Sequence, residues 1–298
     1  MKYNGILIYN NCLISNKYND VYNLYIDASK TLNVNLKLIS NLDIYSMINT
    51  NSKLTFKDNI DIDFIIFLDK DLYLAEVLEL NNYRVYNSYE SIRLCDNKIL
   101  TTIALANNNI NMPKTIIGPK FYKGYKIDDT NLEYIKYLEQ ELKYPIVIKQ
   151  ACGSFGKQVY LVNNRTELTN KMQELIGIDC LYQEFINTSF GKDVRIQVAF
   201  NEVVASAKRV SKSDFRSNVS NGGTMEKYEP NEEYKKLAIS VCKILKLDFA
   251  GVDILFGENN IPILCEVNSN ALINNLYNCT NINSAYAIIS GIIKDLNK

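Results

Sequence analysis

The chain has 298 residues, 47% hydrophobic and 11% aromatic, enough to bury a full core and too apolar for a disordered segment. Its 33 Lys and Arg balance 33 Asp and Glu, so no basic excess draws it to nucleic acid or to a membrane surface. It has no histidine, which removes Ser-His-Asp and Cys-His catalysis, imidazole acid–base chemistry and nearly every usual zinc site; a metal here should be hard and oxygen-bound, Mg²⁺ or Mn²⁺.

The opening MKYNGILIYNN is too short and too quickly polar for a signal peptide. Residues 5–9 (GILIY) then read as a buried strand. Tyr18, Val21, Tyr22, Tyr25 and Ala28 follow at helical spacing. Residues 36–40 and 63–68 (DFIIFL) are further strands, Leu72, Ala75, Leu78 and Glu79 mark a helix, and 84–87 is a short strand. This βαβ rhythm predicts a small parallel-sheet domain over residues 1–95, and without a GxGxxG it is not a dinucleotide site. Residues 96–109 read as one helix opened by a capping Asp96 and broken by Met112 and Pro113. A strand from Thr115, a helix over 131–142, strands at 146–149 and 159–162 and a helix over 165–176 follow. From Leu181 β-type segments dominate, interrupted by a helix from 230 to 245 with Pro230 in its first turn, and a helix over 284–296 closes the chain. No apolar run approaches the ~20 residues of a membrane span. The seven cysteines, Cys12, Cys95, Cys152, Cys180, Cys242, Cys265 and Cys279, form no CxxC pair and read as reduced thiols of a cytoplasmic protein.

Four segments carry chemistry. In 249–268 (FAGVDILFGENNIPILCEVN) two apolar strands flank Asn259 and Asn260, residues that tolerate the positive φ of a two-residue turn. With that turn, residue i pairs with 519 − i, Asp253 faces Glu266, and Asn268 lies on the same face. Two carboxylates so placed repel unless a cation sits between them, and the oxygen set suits Mg²⁺; the other reading is two solvated acids on an exposed face. In 144–162 (YPIVIKQACGSFGKQVYLV) Lys149 ends a buried strand, and Gly153, Ser154 and Gly156 form a loop whose N–H groups can approach phosphate, or an ordinary hairpin turn. In 181–186 (LYQEFI) Gln183 and Glu184 lie in an apolar strand whose edge could hydrogen-bond a purine, or merely expose two polar residues. In 207–223 (AKRVSKSDFRSNVSNGG) Lys208, Arg209, Lys212 and Arg216, with Lys192 further back, form a positive loop suited to phosphate or to a charged transition state, or a solvated surface loop.

Together these segments resemble the ATP-grasp superfamily, and specifically its ribosomal protein S6 glutamate ligase-like, RimK-type branch, over roughly residues 87–275. The resemblance rests on DNK at 96–98, IVIK at 146–149, GSFG at 153–156, QEFI at 183–186, KDVR at 192–195, KR at 208–209, DFRSN at 214–218, AGVDIL at 250–255 and EVN at 266–268. It implies an α/β and α+β architecture: an N-terminal βαβ domain followed by two ATP-grasp units, 96–182 and 183–298. It implies that Lys98 and Lys149 hold ATP phosphates with Gly153, Ser154 and Gly156. Gln183, Glu184, Phe185 and Ile186 would hold adenine, and Asp193 the ribose. Arg216, Ser217 and Asn218 would lie against nucleotide and acyl phosphate, and Asp253, Glu266 and Asn268 would bind two Mg²⁺. The activity implied is carboxylate–amine ligation: a carboxylate attacks the γ-phosphorus, an acyl phosphate forms, and an amine displaces phosphate to give an amide. Arg209, then Arg216, is the candidate to stabilise the developing charge. The carboxylate and amine substrates would be amino acids, peptides or a protein terminus, and the branch is often oligomeric. A ligase for a non-amino-acid carboxylate and a non-catalytic ATP-binding protein are the alternatives. The chain departs from the family in 269–272 (SNAL), where a small-residue Pro-Gly run is usual, and at Gln158, where a second glycine is often found.

Overall fold

The computed structural model describes residues 3–13, 15–50, 52–58, 61–218 and 222–298. The N-terminal segment runs β1 (Tyr3–Tyr9), α1 (Asn16–Thr31), β2 (Val34–Ser40), β3 (Ile44–Ile48), β4 (Ser52–Phe56), β5 (Phe64–Leu68), α2 (Leu72–Leu80) and β6 (Val85–Tyr86). Strands β2-β1-β5-β6 form one sheet, parallel throughout. Ile6, Ile8, Ile65 and Phe67 pack toward α2, while Leu7, Phe64, Ile66 and Leu68 pack toward α1. Burial on both faces explains why the runs GILIY and FIIFL lack polar alternation. The β3–β4 hairpin, an antiparallel addition, has no counterpart in the sequence reading.

The helix expected over 96–109 is the shorter α4 (Lys98–Leu105), and a helix not expected, α3 (Tyr89–Asp96), runs up to it. Asp96 ends α3. Asn97 opens α4, its side chain accepting from Ile99 N at 3.0 Å and Leu100 N at 3.1 Å, which satisfies helix-end donors as a cap should. The cap therefore stands one residue later than expected, and it sets Lys98 in the first turn of α4.

Next come β7 (Thr115–Ile117), α5 (Leu132–Leu142), β8 (Ile146–Gln150), β9 (Val159–Val162), α6 (Arg165–Glu174) and β10 (Cys180–Glu184). They build an antiparallel sheet ordered β7-β10-β8-β9 with α5 and α6 packed on it. The division drawn from the sequence at 182/183 cuts through β10, all of which pairs within this sheet; the boundary we propose falls after Glu184.

The last segment holds β11 (Lys192–Ala199), β12 (Glu202–Val210), β13 (Thr224–Lys227), α7 (Glu232–Ile244), β14 (Phe249–Phe256), β15 (Pro262–Asn268), α8 (Asn274–Thr280) and α9 (Ser284–Leu296). Its antiparallel sheet is ordered β13-β12-β11-β14-β15. Asn231 caps α7, so Pro230 stands before the cap and not in the first turn. Ala285, Ile288, Ile289 and Ile292 of α9 recur at helical spacing and join the core of the N-terminal sheet. Among the described residues no helix is long and apolar enough to cross a membrane.

Candidate active site

Asp253 of β14 pairs with Glu266 of β15, as the 519 − i register expects, but by another route. The connection is not a two-residue turn. Residues 257–261 form it, with Asn259 and Asn260 both at positive φ (53° and 60°). Outside the loop the pairing sums to 518, and a bulge at Cys265 restores 519. The bulge thus brings the two acids face to face, and Asn268 Nδ2 lies 3.5 Å from Asp253 Oδ2.

Strand register supplies the cations. Arg195 stands opposite Asp253, and Arg209 opposite Asp193. Arg195 donates Nε to Asp253 Oδ1 at 2.5 Å and Nη2 to Oδ2 at 3.0 Å. Arg209 Nη2 reaches the same Oδ2 at 3.0 Å and pairs with Asp193 at 2.5 Å. Asp253 is only 2% exposed. Burial pushes its pKa up, but the two guanidinium groups outweigh burial and hold the carboxyl below the usual range. Arg209 is buried too, and although desolvation opposes its charge, Asp193 and Asp253 raise its pKa well above the ordinary value. Glu266 Oε1 accepts from Lys98 Nζ at 2.9 Å.

The donor set fits Mg²⁺. Asp253 is held ionised, the donors at the site are carboxylate and amide oxygens, and Asp253 Oδ1 and Glu266 Oε1, each bonded to one cation, keep a second lone pair, whereas Asp253 Oδ2 is taken by both Arg195 and Arg209.

One cleft between the second and third sheets is lined by Lys98, Lys149, Gly156, Gln183, Glu184, Phe185, Ile186, Asp193, Arg209, Arg216, Ser217, Asn218, Asp253 and Glu266. It therefore gathers most of the residues singled out by the sequence. Lys149, buried at the end of β8, donates to Cys265 O at 3.5 Å, and Lys98 Nζ lies 3.4 Å from Gly153 O. Strand β10 is interior, not an edge, because β7 and β8 flank it. Gln183 Nε2 donates to Thr115 Oγ1 at 2.8 Å and Glu184 Oε1 accepts from Lys114 N at 2.7 Å.

The glycine loop differs from its expected form. Gly153 does not line this cleft, and Ser154 lines a neighbouring cavity. Ser154 N donates to Gln158 Oε1 at 3.1 Å, so Gln158 takes one of the N–H groups assigned to phosphate. Arg216 is a tie between loops: Nη1 donates to Gly156 O at 2.7 Å, and Nη2 pairs with Asp214 at 2.7 Å. The positive loop is also less free than its composition implies, since Lys208 pairs with Glu226 at 3.1 Å and Lys192 lies over the Phe256 ring. Residues 219–221 of that loop fall outside the described residues.

The neighbouring cavity, of about 420 Å³, lies between the N-terminal sheet and the third sheet. Lys17, Tyr18 and Lys70 line it from one side, Arg195, Gln197 and Asn270 from the other, and Arg209, Asp253 and Glu266 belong to both cavities. The acids therefore stand where two cavities meet. Sequence reading missed Lys17, Lys70 and Arg195. KDVR marked Arg195, but only the β11–β14 register aims it.

A sequence profile of the RimK-like ATP-grasp domain matches residues 95–292. The chain belongs to the RimK-like ATP-grasp family. An uncharacterised protein of Mycoplasma pneumoniae is 35% identical over 82% of this chain and 83% of its own. The tetrahydromethanopterin:alpha-L-glutamate ligase of Methanocaldococcus jannaschii is 30% identical over 92% of this chain and 94% of its own. Among solved ATP-grasp structures, the RimK domain protein of Sphaerobacter thermophilus superposes with a TM-score of 0.71 at 17% identity, covering 97% of this chain and 98% of its own. The ligase PsnB, solved with Mg and ADP, gives 0.71 at 13% identity, covering 100% of both chains. These two share the RimK-like chain's fold.

Proposed function

We infer that this RimK-like chain is an ATP-dependent carboxylate–amine ligase that joins an amino acid to an amino acid, a peptide or a protein terminus. The observation that carries the reading is the Asp253–Glu266 pair, gripped by Arg195, Arg209 and Lys98 at the junction of two cavities. One cavity takes ATP, and the other takes the carboxylate and the amine. Named relatives support it: one is an N-acetylaspartylglutamate synthase, of Homo sapiens, and another an alpha-aminoadipate–LysW ligase, of Saccharolobus solfataricus.

The reaction needs positioning and charge neutralisation, not a protein nucleophile. A substrate carboxylate oxygen attacks the γ-phosphorus of ATP, the bond to the bridging oxygen breaks, and ADP leaves. The amine then attacks the acyl carbon, inorganic phosphate leaves, and the amine releases a proton. Lys98 and Lys149 hold phosphate oxygens. Gln183 to Ile186 and Asp193 hold the nucleoside. Arg209, fixed by two carboxylates, presents a charge that does not titrate at neutral pH and stabilises the negative charge that grows on the phosphoryl and acyl oxygens. Arg216, tied to the glycine loop through Gly156 O, lies with Ser217 and Asn218 against nucleotide and acyl phosphate. Asp253, Glu266 and Asn268 would hold two Mg²⁺, or Mn²⁺, which supply Lewis-acid neutralisation of the phosphates. The free cysteines fit a reducing, cytoplasmic setting.

The test is ADP release from Mg²⁺-ATP across pairs of the twenty amino acids and glutamyl peptides. A rise that depends on both members of a pair, with the amide found by mass spectrometry, is the expected result. ATP bound without ADP release for every pair would refute the ligase reading.

A further inference from the structure

Among the described residues the second cavity holds a cation without an acid partner, and the acid Asp69 that also lines it accepts from Asn10 Nδ2 and the Lys70 backbone N, not from Lys17. Four cations line it: Lys17, Lys70, Arg195 and Arg209. Three are committed. Lys70 pairs with Asp96 at 2.9 Å, Arg195 with Asp253 at 2.5 Å, and Arg209 with Asp193 and Asp253. Among the described residues Lys17 Nζ has neither a carboxylate nor a hydrogen-bond acceptor as partner. Among the described residues Nζ lies over the ring of Phe155, 4.7 Å to the centroid, at the tip of the glycine loop.

A half-buried ammonium with three donors and no acceptor is an incomplete site. Burying a cation away from water costs free energy unless an anion or acceptors meet it. The aromatic ring offsets part of this, but it takes no conventional hydrogen bond. Lys17 also sits in the first turn of α1, the end whose backbone dipole favours an anion. On the ligase reading the reacting carboxylate has its place beside Asp253, Glu266 and Arg209, which line the same cavity.

We propose that Lys17 is a specificity-determining residue that binds a second carboxylate of the substrate, remote from the bond being made, so that the cavity selects an acidic over a neutral amino acid. The proposal rests on the reading of this cavity as the substrate site. The contact with Phe155 also couples that choice to the glycine loop: an anion drawing on Lys17 touches the residue at the loop's tip.

Two measurements separate this proposal from the ligase reading. The first does not need turnover. Lysines of the full-length protein are acetylated with a limiting reagent and quantified by mass spectrometry in the presence of L-glutamate, L-glutamine, L-aspartate, L-asparagine or N-acetyl-L-glutamate. Protection of Lys17 by an acid but not by its amide, with exposed lysines unchanged, is expected. N-acetyl-L-glutamate has no free amine, so protection by it assigns the carboxylate-donor substrate, and protection by L-glutamate alone assigns the amine substrate. Equal protection by acids and amides, or none, overturns the proposal even if the chain proves to be a ligase.

The second compares the wild type with Lys17→Met, which keeps the aliphatic stem, in ADP release. The KM for the acidic substrate should rise roughly 10- to 100-fold, the scale of a lost charge-assisted hydrogen bond. The KM for ATP should stay unchanged, and Lys17→Arg should restore much of the loss. A variant that keeps the wild-type preference for acid over amide overturns the assignment.

Discussion

Asp253 shows how one side chain can be both buried and ionised. Its carboxylate meets three guanidinium contacts, so the acid is ready for a metal before any arrives. Removing the charge should cost more than removing a surface acid, because Arg195 and Arg209 would be left buried without their partner. Glu266→Ala should lower ATP turnover by roughly 100-fold or more while the fold survives, since Glu266 is less buried and its partner Lys98 keeps a contact to Gly153 O. Normal turnover by this variant would refute the metal assignment. Gln158 makes a second residue-scale case. It bonds to Ser154 N and fills the space beside Gly153, where an added Cβ would stand 2.6 Å from Gln158 Oε1. Gln158→Gly should free Ser154 N–H for phosphate and lower the KM for ATP by about 3- to 10-fold, the worth of one hydrogen bond. An unchanged or higher KM would mean that Ser154 N–H does not reach the nucleotide.

The elements carry their own lesson about legibility. The β14–β15 hairpin could be read because its apolar faces and Asn pair are local signals, yet the expected turn was wrong. A longer loop and the bulge at Cys265 each shifted the register by one, in opposite senses. Nothing in the residues flags such a bulge. Helices α3 and α8 were missed because each is only about two turns long, too short for a period to show. The cations Lys17, Lys70 and Arg195 were missed for a different reason: they reach the site from a helix, a loop and a strand distant in sequence, and only tertiary packing places them. Helix α9 offers a test of packing. Gly291 faces Phe200 so closely that an added Cβ would lie 1.9 Å from the ring. Alanine favours a helix over glycine by about 1 kcal/mol. Overpacking costs about 1–3 kcal/mol, so the clash should win. Gly291→Ala should therefore lower the melting temperature, and a rise would show that Phe200 moves aside freely.

At the scale of the whole molecule, the N-terminal sheet is fastened to the third sheet by Asn87. Asn87 Oδ1 accepts from Asp248 N at 2.7 Å, and its Nδ2 donates to Phe249 O at 2.8 Å and Ser269 O at 3.0 Å. Beside it the carboxyl of Asp248 is pushed up to about 7, first by burial and then by Asp295. The unfolded chain releases this proton near the ordinary carboxylate value and the folded chain holds it to about pH 7. Its contribution is thus fully present in acid and is lost as pH rises through 7. At ~1.4 kcal/mol per unit the loss approaches 4 kcal/mol, less whatever solvent reaches the group. Asp248→Asn should make the chain more stable than the wild type at pH 8, with the advantage vanishing near pH 4, as read by urea denaturation at each pH. A constant difference across that range would refute the shift.

The ligase reading itself stands or falls on the fate of one oxygen. With the responding substrate pair in hand, the donor carboxylate is labelled with ¹⁸O and the released inorganic phosphate is analysed by mass spectrometry. If the carboxylate attacks the γ-phosphorus, one ¹⁸O appears in phosphate for each amide formed, alongside ADP. Unlabelled phosphate, or AMP and pyrophosphate in place of ADP, would contradict the acyl-phosphate route and with it the roles given to Lys98, Arg209 and the Asp253–Glu266 pair.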